Sequence, residues 1–204
     1  MAVVIRENLL NTIISSRALK ESTEREAKKI VKTAVKDMLE EFDNDPVTEE
    51  IKSSESNPDA DNNITGTLGG YGNLFSFIGF EAGDNPTDKV REVLKTARML
   101  QKSASRVSKS GRTIVYHYPV SIPNRDAIEK ASPIPWERGR SWIFGIEEGI
   151  SGLGQYLRGV FNTPKPSRSG GGVQVKKTLR GGGFMPMKYM SDILRNFRDR
   201  ITNP

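Results

Sequence analysis

A chain of 204 residues with a formal net charge of +6 and no cysteine is long enough for one sizeable domain with extended arms, and it excludes disulfides and thiolate metal sites. Hydrophobic residues make up 35% of it and the mean hydropathy is −0.52, on the polar side for a compact globule. Some segments are therefore expected outside the core.

The first residues, MAVVIRENLLNTIISSRALK, are interrupted by Arg6, Glu7, Asn8 and Asn11 and supply no signal-peptide core. No run approaches the ~18 apolar residues of a membrane span, so the expectation is a soluble, unsecreted chain with no membrane partner. Charge is distributed unevenly. Residues 1–100 carry 13 Lys+Arg against 18 Asp+Glu, and residues 101–204 carry 18 against 7. A basic half points to nucleic acid, a membrane surface or an acidic protein partner, and an acidic half in the same chain permits copies to pack against one another.

From Ile5 to Phe42 the chain reads as helical. Leu9, Leu10, Ile13 and Ile14 recur at spacings of three and four, and Ile30, Ala34, Val35, Met38, Leu39 and Phe42 repeat the pattern. Ser22 or Thr23 with Glu26 resembles a capping box, which predicts a fresh helix near Thr23. Lys28, Lys29, Lys32 and Lys36 beside Glu24, Glu26 and Asp37 predict a salt-bridged solvent face. Residues 43–66 change to Asp, Asn, Ser and Glu and predict an exposed acidic excursion, with at most a short turn at Pro46, Val47 and Thr48. Asp59 and Asp61 lack the glycine and terminal glutamate of a calcium loop.

The stretch Gly66 to Leu100 is the densest apparent core. Leu74, Ser76, Ile78 and Phe80 would face one side of a strand and Phe75 and Phe77 the other, which predicts a covered strand. Asn85 and Pro86 then predict a helix start, with Val90, Val93, Leu94, Ala97 and Leu100 along its inner face. Gly69, Gly70 and Gly72 precede the strand, whereas a phosphate loop needs glycines between strand and helix.

Lys102, Arg106, Lys109 and Arg112 predict a basic turn before a strand over Thr113 to Val120, with Ile114, Tyr116 and Tyr118 on one face and Val115 and His117 on the other. His117 is the only histidine, which leaves a triad or a His-rich metal site with one member. Pro123 and Asn124 introduce a short helix or turn to Lys130, and Pro133 and Pro135 an extended connection. Trp142 to Ile146 reads as a strand, in which the adjacent Glu147 and Glu148 would point apart and form a poor acid/base pair. Residues 162–172 predict a flexible basic loop, Val173 to Leu179 a short strand, and Met187 to Ile201 an amphipathic helix with Met190, Ile193, Leu194, Phe197 and Ile201 inward. No catalytic, cofactor-binding or metal-ligating constellation emerges.

The runs GNLFSFIGFEAGDNP, SWIFGIEEGISGLGQYL and SRSGGGVQVKK followed by YMSDILRNF together resemble the small neck or tail-completion proteins of tailed bacteriophages, across about two-thirds of the chain. The resemblance implies an α+β fold over residues 1–204, with N-terminal helices and a C-terminal helix on a small, mostly antiparallel sheet. It also implies a non-enzymatic virion protein, assembled in the host cytoplasm as a ring of identical copies at the head-to-tail junction. Its implied partners are further copies, other neck, portal or tail proteins, and non-specifically the DNA that passes through. The assembly or DNA-facing candidates are Arg106, Lys109, Arg112, Arg168, Lys176, Lys177 and Arg180. The competing reading is a basic nucleic-acid-binding protein, in which Tyr116 and Tyr118 would stack bases.

Overall fold

A long helix, α1 (Arg17–Asp43), forms the spine of the computed structural model, which describes residues 16–54, 74–102, 104–110, 113–135, 137–148, 165–166, 173–174 and 188–203. Val31, Ala34, Met38 and Phe42 are its buried stripe, at the three-to-four spacing that aligns side chains on one helical face. The opposite face carries the expected ion pairs, including Lys28 with Glu24 at 2.5 Å and Lys36 with Glu40 at 3.2 Å. No new helix begins at Thr23. That residue lies within α1, where its hydroxyl donates to the Lys20 carbonyl and also bonds the Tyr118 hydroxyl, 2.8 Å away. The residues before Ser16 lie outside the described residues.

Part of the expected acidic excursion is core. Pro46–Ser54 is a helix, α2, and Val47, Thr48, Glu50 and Ile51 are buried. Asp45 accepts the Val47 N–H at 2.9 Å and Pro46 fills the first helical position, a start signal hidden in a polar composition. Residues 55–66, with Asp59 and Asp61, lie outside the described residues.

The expected strand over Leu74 to Phe80 is instead a short helix, α3 (Leu74–Ile78). On a helix Leu74, Phe75 and Ile78 share one face, and all three are buried. Short apolar runs do not distinguish strand from helix by periodicity; Gly79 does. It takes φ +94°, and the Phe80 N–H then reaches the Phe75 carbonyl at 3.2 Å, the six-to-one closure of a glycine-terminated helix. The Phe75 and Phe80 rings meet across that closure at 5.3 Å. The side chain of Phe77 lies outside the described residues.

Helix α4 (Pro86–Leu94) starts at Asn85 and Pro86 as the sequence predicts and buries Val90 and Leu94. It ends before Leu100, which is 57% exposed. Two antiparallel pairs follow: β1 (Arg98–Met99) with β4 (Val120–Ser121), and β2 (Arg106–Ser110) with β3 (Thr113–His117). The predicted basic turn is therefore largely the strand β2. Burial alternates from Ile114 to Tyr118, as read from the sequence.

Asn124 caps α5 (Arg125–Ala131) by accepting the Ala127 N–H at 2.8 Å. Strands β5 (Pro133–Ile134) and β6 (Glu137–Ser141) pair and deliver the chain into α6 (Trp142–Glu148). Here too a helix replaces the expected strand. Ser141 accepts the Phe144 N–H at 3.3 Å, an N-cap that sets the helical phase and turns Trp142, Ile143 and Ile146 inward. Lys165–Pro166 (β7) and Val173–Gln174 (β8) form a further antiparallel pair, so ladder bonds tie both ends of the expected basic loop. The remainder of 162–172 and of the strand predicted to Leu179 lies outside the described residues. The last helix, α7 (Met190–Thr202), packs on α1 through buried Met190, Ile193 and Phe197, and Arg200 pairs with Glu41 at 2.7 Å.

The fold is α+β, helices packed with small antiparallel strand pairs. Its centre is a chain of aromatic rings. Phe42 meets Tyr189, Tyr189 meets Trp142, and Trp142 meets Phe80 edge-on, each at 6.2 Å between centroids. These contacts join α1, the entry to α7, α6 and the end of α3, and each contributes beyond its area by about 0.5–1.5 kcal/mol.

Candidate interaction face

Residues 93–125 contain seven Lys and Arg and no Asp or Glu. Among the described residues the three exposed large hydrophobics, Leu100, Val107 and Val115, all fall within this stretch, at 57%, 42% and 37%. Folding brings it to one edge. Beyond the pairings Met99↔Val120 and Arg106↔His117, the Leu100 N–H donates to the Pro119 carbonyl and the Ser105 N–H to the His117 carbonyl, each at 2.8 Å. Leu100 and Lys102 are both exposed here.

The hairpin β2–β3 has two unlike faces. The register places Val107 beside Tyr116 on one and Ser108 beside Val115, with Arg106 beside His117, on the other. The first face lies over the start of α1. Val107, Tyr116 and Tyr118 line a cleft of about 600 Å³ with Lys20, Glu24 and Lys102, and the Thr23–Tyr118 hydrogen bond anchors it. A second opening, a groove of about 500 Å³, lies between α1 and β1 and is lined by Val31, Val35, Met99 and Leu100 with Lys32 and Lys102. Lys102 borders both, so cleft and groove are neighbours.

Cations dominate this edge. The ion pairs along α1 use Arg17, Lys28, Lys29 and Lys36. Among the described residues no carboxylate pairs with Lys32, Arg98, Lys102 or Arg106. Exposed apolar side chains amid unpaired cations suit a partner that is both apolar and acidic, since phosphate gains from the charges and nothing from the valines.

Of the residues singled out from the sequence, Arg106 is exposed at the start of β2. Lys109 occupies the register position opposite Ile114, and its side chain lies outside the described residues. So do Arg112, Arg168, Lys176, Lys177 and Arg180 entirely. The structure adds Lys32, Arg98, Leu100 and Lys102. The acid-free composition of 93–125 signals Arg98 and Leu100 and the basic turn signals Lys102, whereas Leu100 taken alone reads as the end of the α4 core stripe and Lys32 as one of several salt-bridged lysines.

Other groups have partners that explain them. His117 is exposed, and its Nε2 lies 2.8 Å from the Ser108 hydroxyl. Glu147 accepts the backbone N–H groups of Tyr189 at 3.1 Å and Ser191 at 2.6 Å, which caps α7. Its neighbour Glu148 pairs with Arg125 at 2.6 Å, whose guanidinium lies 4.0 Å over the Phe144 ring. The two carboxylates diverge, on a helix and not on a strand. Burial raises the Tyr189 hydroxyl pKa well above its ordinary value, and that hydroxyl bonds Thr48 at 2.5 Å. Among the described residues no three His, Asp or Glu side chains group as metal ligands, and no helix is long and apolar enough to cross a membrane.

No protein-family model, curated protein or solved structure matches this chain.

Proposed function

We propose that the chain is a non-enzymatic structural protein of a tailed-phage virion, one of a ring of copies at the head-to-tail junction, and that the 98–121 edge is a protein-docking surface within that assembly. One observation carries the docking role: all the exposed large hydrophobics among the described residues share a stretch that holds seven cations and no acid. The resemblance of GNLFSFIGFEAGDNP and SWIFGIEEGISGLGQYL to neck proteins supplies the setting. Opposite charges on the two halves of the chain favour head-to-tail contact between copies, as a closed ring requires.

The same cations favour a second reading, a nucleic-acid-binding protein. Against stacking of bases, the Tyr118 hydroxyl is engaged by Thr23 and Tyr116 is half-buried in the cleft. Mass photometry with negative-stain imaging tests the proposal. Ring-shaped oligomers, alone or on adding portal or tail proteins, are the expected result. A protein that stays monomeric in their presence and binds duplex DNA tightly, with a steep loss of affinity as salt rises, would overturn it.

A further inference from the structure

The groove between α1 and β1 combines an apolar floor with a cationic rim. Val31 and Val35 lie one turn apart on α1 and line it together with Met99 and Leu100. Lys32, Arg98 and Lys102 stand exposed around it, while Lys28 is already neutralised by Glu24. None of the residues that line it is acidic. A polyphosphate would use the rim and leave the floor wet, and an uncharged apolar segment would use the floor and desolvate the rim without compensation. A segment with one apolar stripe and acidic flanks satisfies both. On a helix such a stripe recurs every three to four residues, the usual manner in which helices occupy apolar grooves.

We propose that this groove docks an acidic amphipathic helix of a partner protein, its aliphatic side chains on Val31, Val35 and Leu100 and its carboxylates against Lys32, Arg98 and Lys102. This rests on the docking role proposed for the edge and adds the chemistry of the partner. Leu100 is the floor residue most open to water, and covering it gives the helix its apolar anchor.

The test uses the full chain and three dye-labelled four-turn helical peptides, followed by fluorescence polarisation at physiological salt. One has leucines at i, i+3, i+4 and i+7 with glutamates on the flanks; a second replaces the leucines by serine, and a third replaces the glutamates by lysine. Only the first is expected to bind. The double variant Lys32→Glu, Lys102→Glu should weaken it at least about tenfold, and Leu100→Asp should do the same. Lys188→Glu, at an exposed cation before α7, should leave it unchanged, and all four proteins should melt together. Equal binding of the serine peptide would reduce the contact to bare charge attraction and overturn the inference. So would absence of peptide binding together with loss of self-association in Leu100→Asp, which would seat a second copy in the groove and leave the docking role standing. Duplex DNA binding that the same variants abolish would overturn the inference and the docking role together.

Discussion

Replacing Glu147 by alanine removes a cap that α7 does not make for itself. The N-cap position of α7 is Tyr189, whose side chain makes no capping bond, so the first N–H groups of the helix depend on an acceptor 42 residues away in sequence. The Glu147 carboxylate supplies it twice, at 3.1 Å to Tyr189 and 2.6 Å to Ser191. Hydrogen bonds to a charged acceptor contribute about 1.5–3 kcal/mol each, but the pair shares one group and the Ser191 end is exposed, so the two do not add. The expected loss for Glu147→Ala is about 2–3 kcal/mol, a drop in Tm of roughly 4–12 °C for a chain of this size. Glu147→Gln keeps one carbonyl acceptor without the charge and should lose about half as much. Urea unfolding at neutral pH, followed by circular dichroism, measures both. An alanine variant within about 0.5 kcal/mol of the parent, the ordinary range for surface substitutions, would show that α7 does not need this cap.

Gly79→Ala forces a side chain into φ +94° and should lower stability by about 1–2 kcal/mol in the same assay; no change would remove the glycine closure of α3 from the account. Tyr189→Phe leaves the Thr48 hydroxyl unpartnered at a position with no exposure and should cost about 1–3 kcal/mol. Adding Thr48→Val should then cost little more, and a double-mutant cycle with no coupling would contradict the hydrogen bond. Two aspartates should respond to pH with opposite sign. Burial raises the Asp43 carboxyl, but hydrogen bonds and charges from Lys52 and Arg91 outweigh it and hold it below its ordinary value. Its stabilisation is thus present above pH 3.8, is lost as pH falls through the lowered value, and should vanish from the acid limb in Asp43→Asn. Asp45 is raised, by burial first. Its contribution is complete below pH 3.8 and lost as pH rises through the raised value. Asp45→Asn keeps an N-cap of equal quality and should match or exceed the parent at pH 7; a clear loss there would refute the sign.

What the sequence made legible was local. Asn85–Pro86 and Asn124 start their helices where expected, the Ile114–Tyr118 alternation matches the observed burial, and the α1 stripe reads directly from Ala34 to Phe42 because side chains three and four apart must share a face, with Val31 buried in place of the expected Ile30. The errors came from apolar runs whose phase is set by a neighbour. Leu74–Phe80 and Trp142–Ile146 are apolar on both sides of a strand and on one side of a helix, and Gly79 and Ser141 decide between the two. Pro46–Ser54 was hidden because its polar residues are partnered, Glu50 by the Leu74 N–H and Thr48 by Tyr189, and partners distant in sequence are invisible to composition. Of the candidate edge, the basic character of Arg106 was readable. The exposure of Leu100 was not, because it follows from a strand register that no single segment encodes.

The aromatic centre of the core and the candidate face are built from different residues. The aromatic chain from Phe42 to Phe80 fixes α1, α3, α6 and α7 to one another, and none of its members borders the cleft or the groove of the 98–121 edge. That edge is attached by β1 along α1, by Val120 packed on the core and by the Thr23–Tyr118 bond. A two-stranded hairpin is marginal without a covering layer, and valines left in water beside it invite association. Neither feature helps the monomer. Cations without acids keep like edges apart through mutual repulsion while attracting an acidic surface. The acidic partner proposed above would account for Leu100 and the rim cations together, covering the one and neutralising the others, while Val115 lies on the other face of the hairpin from Val107.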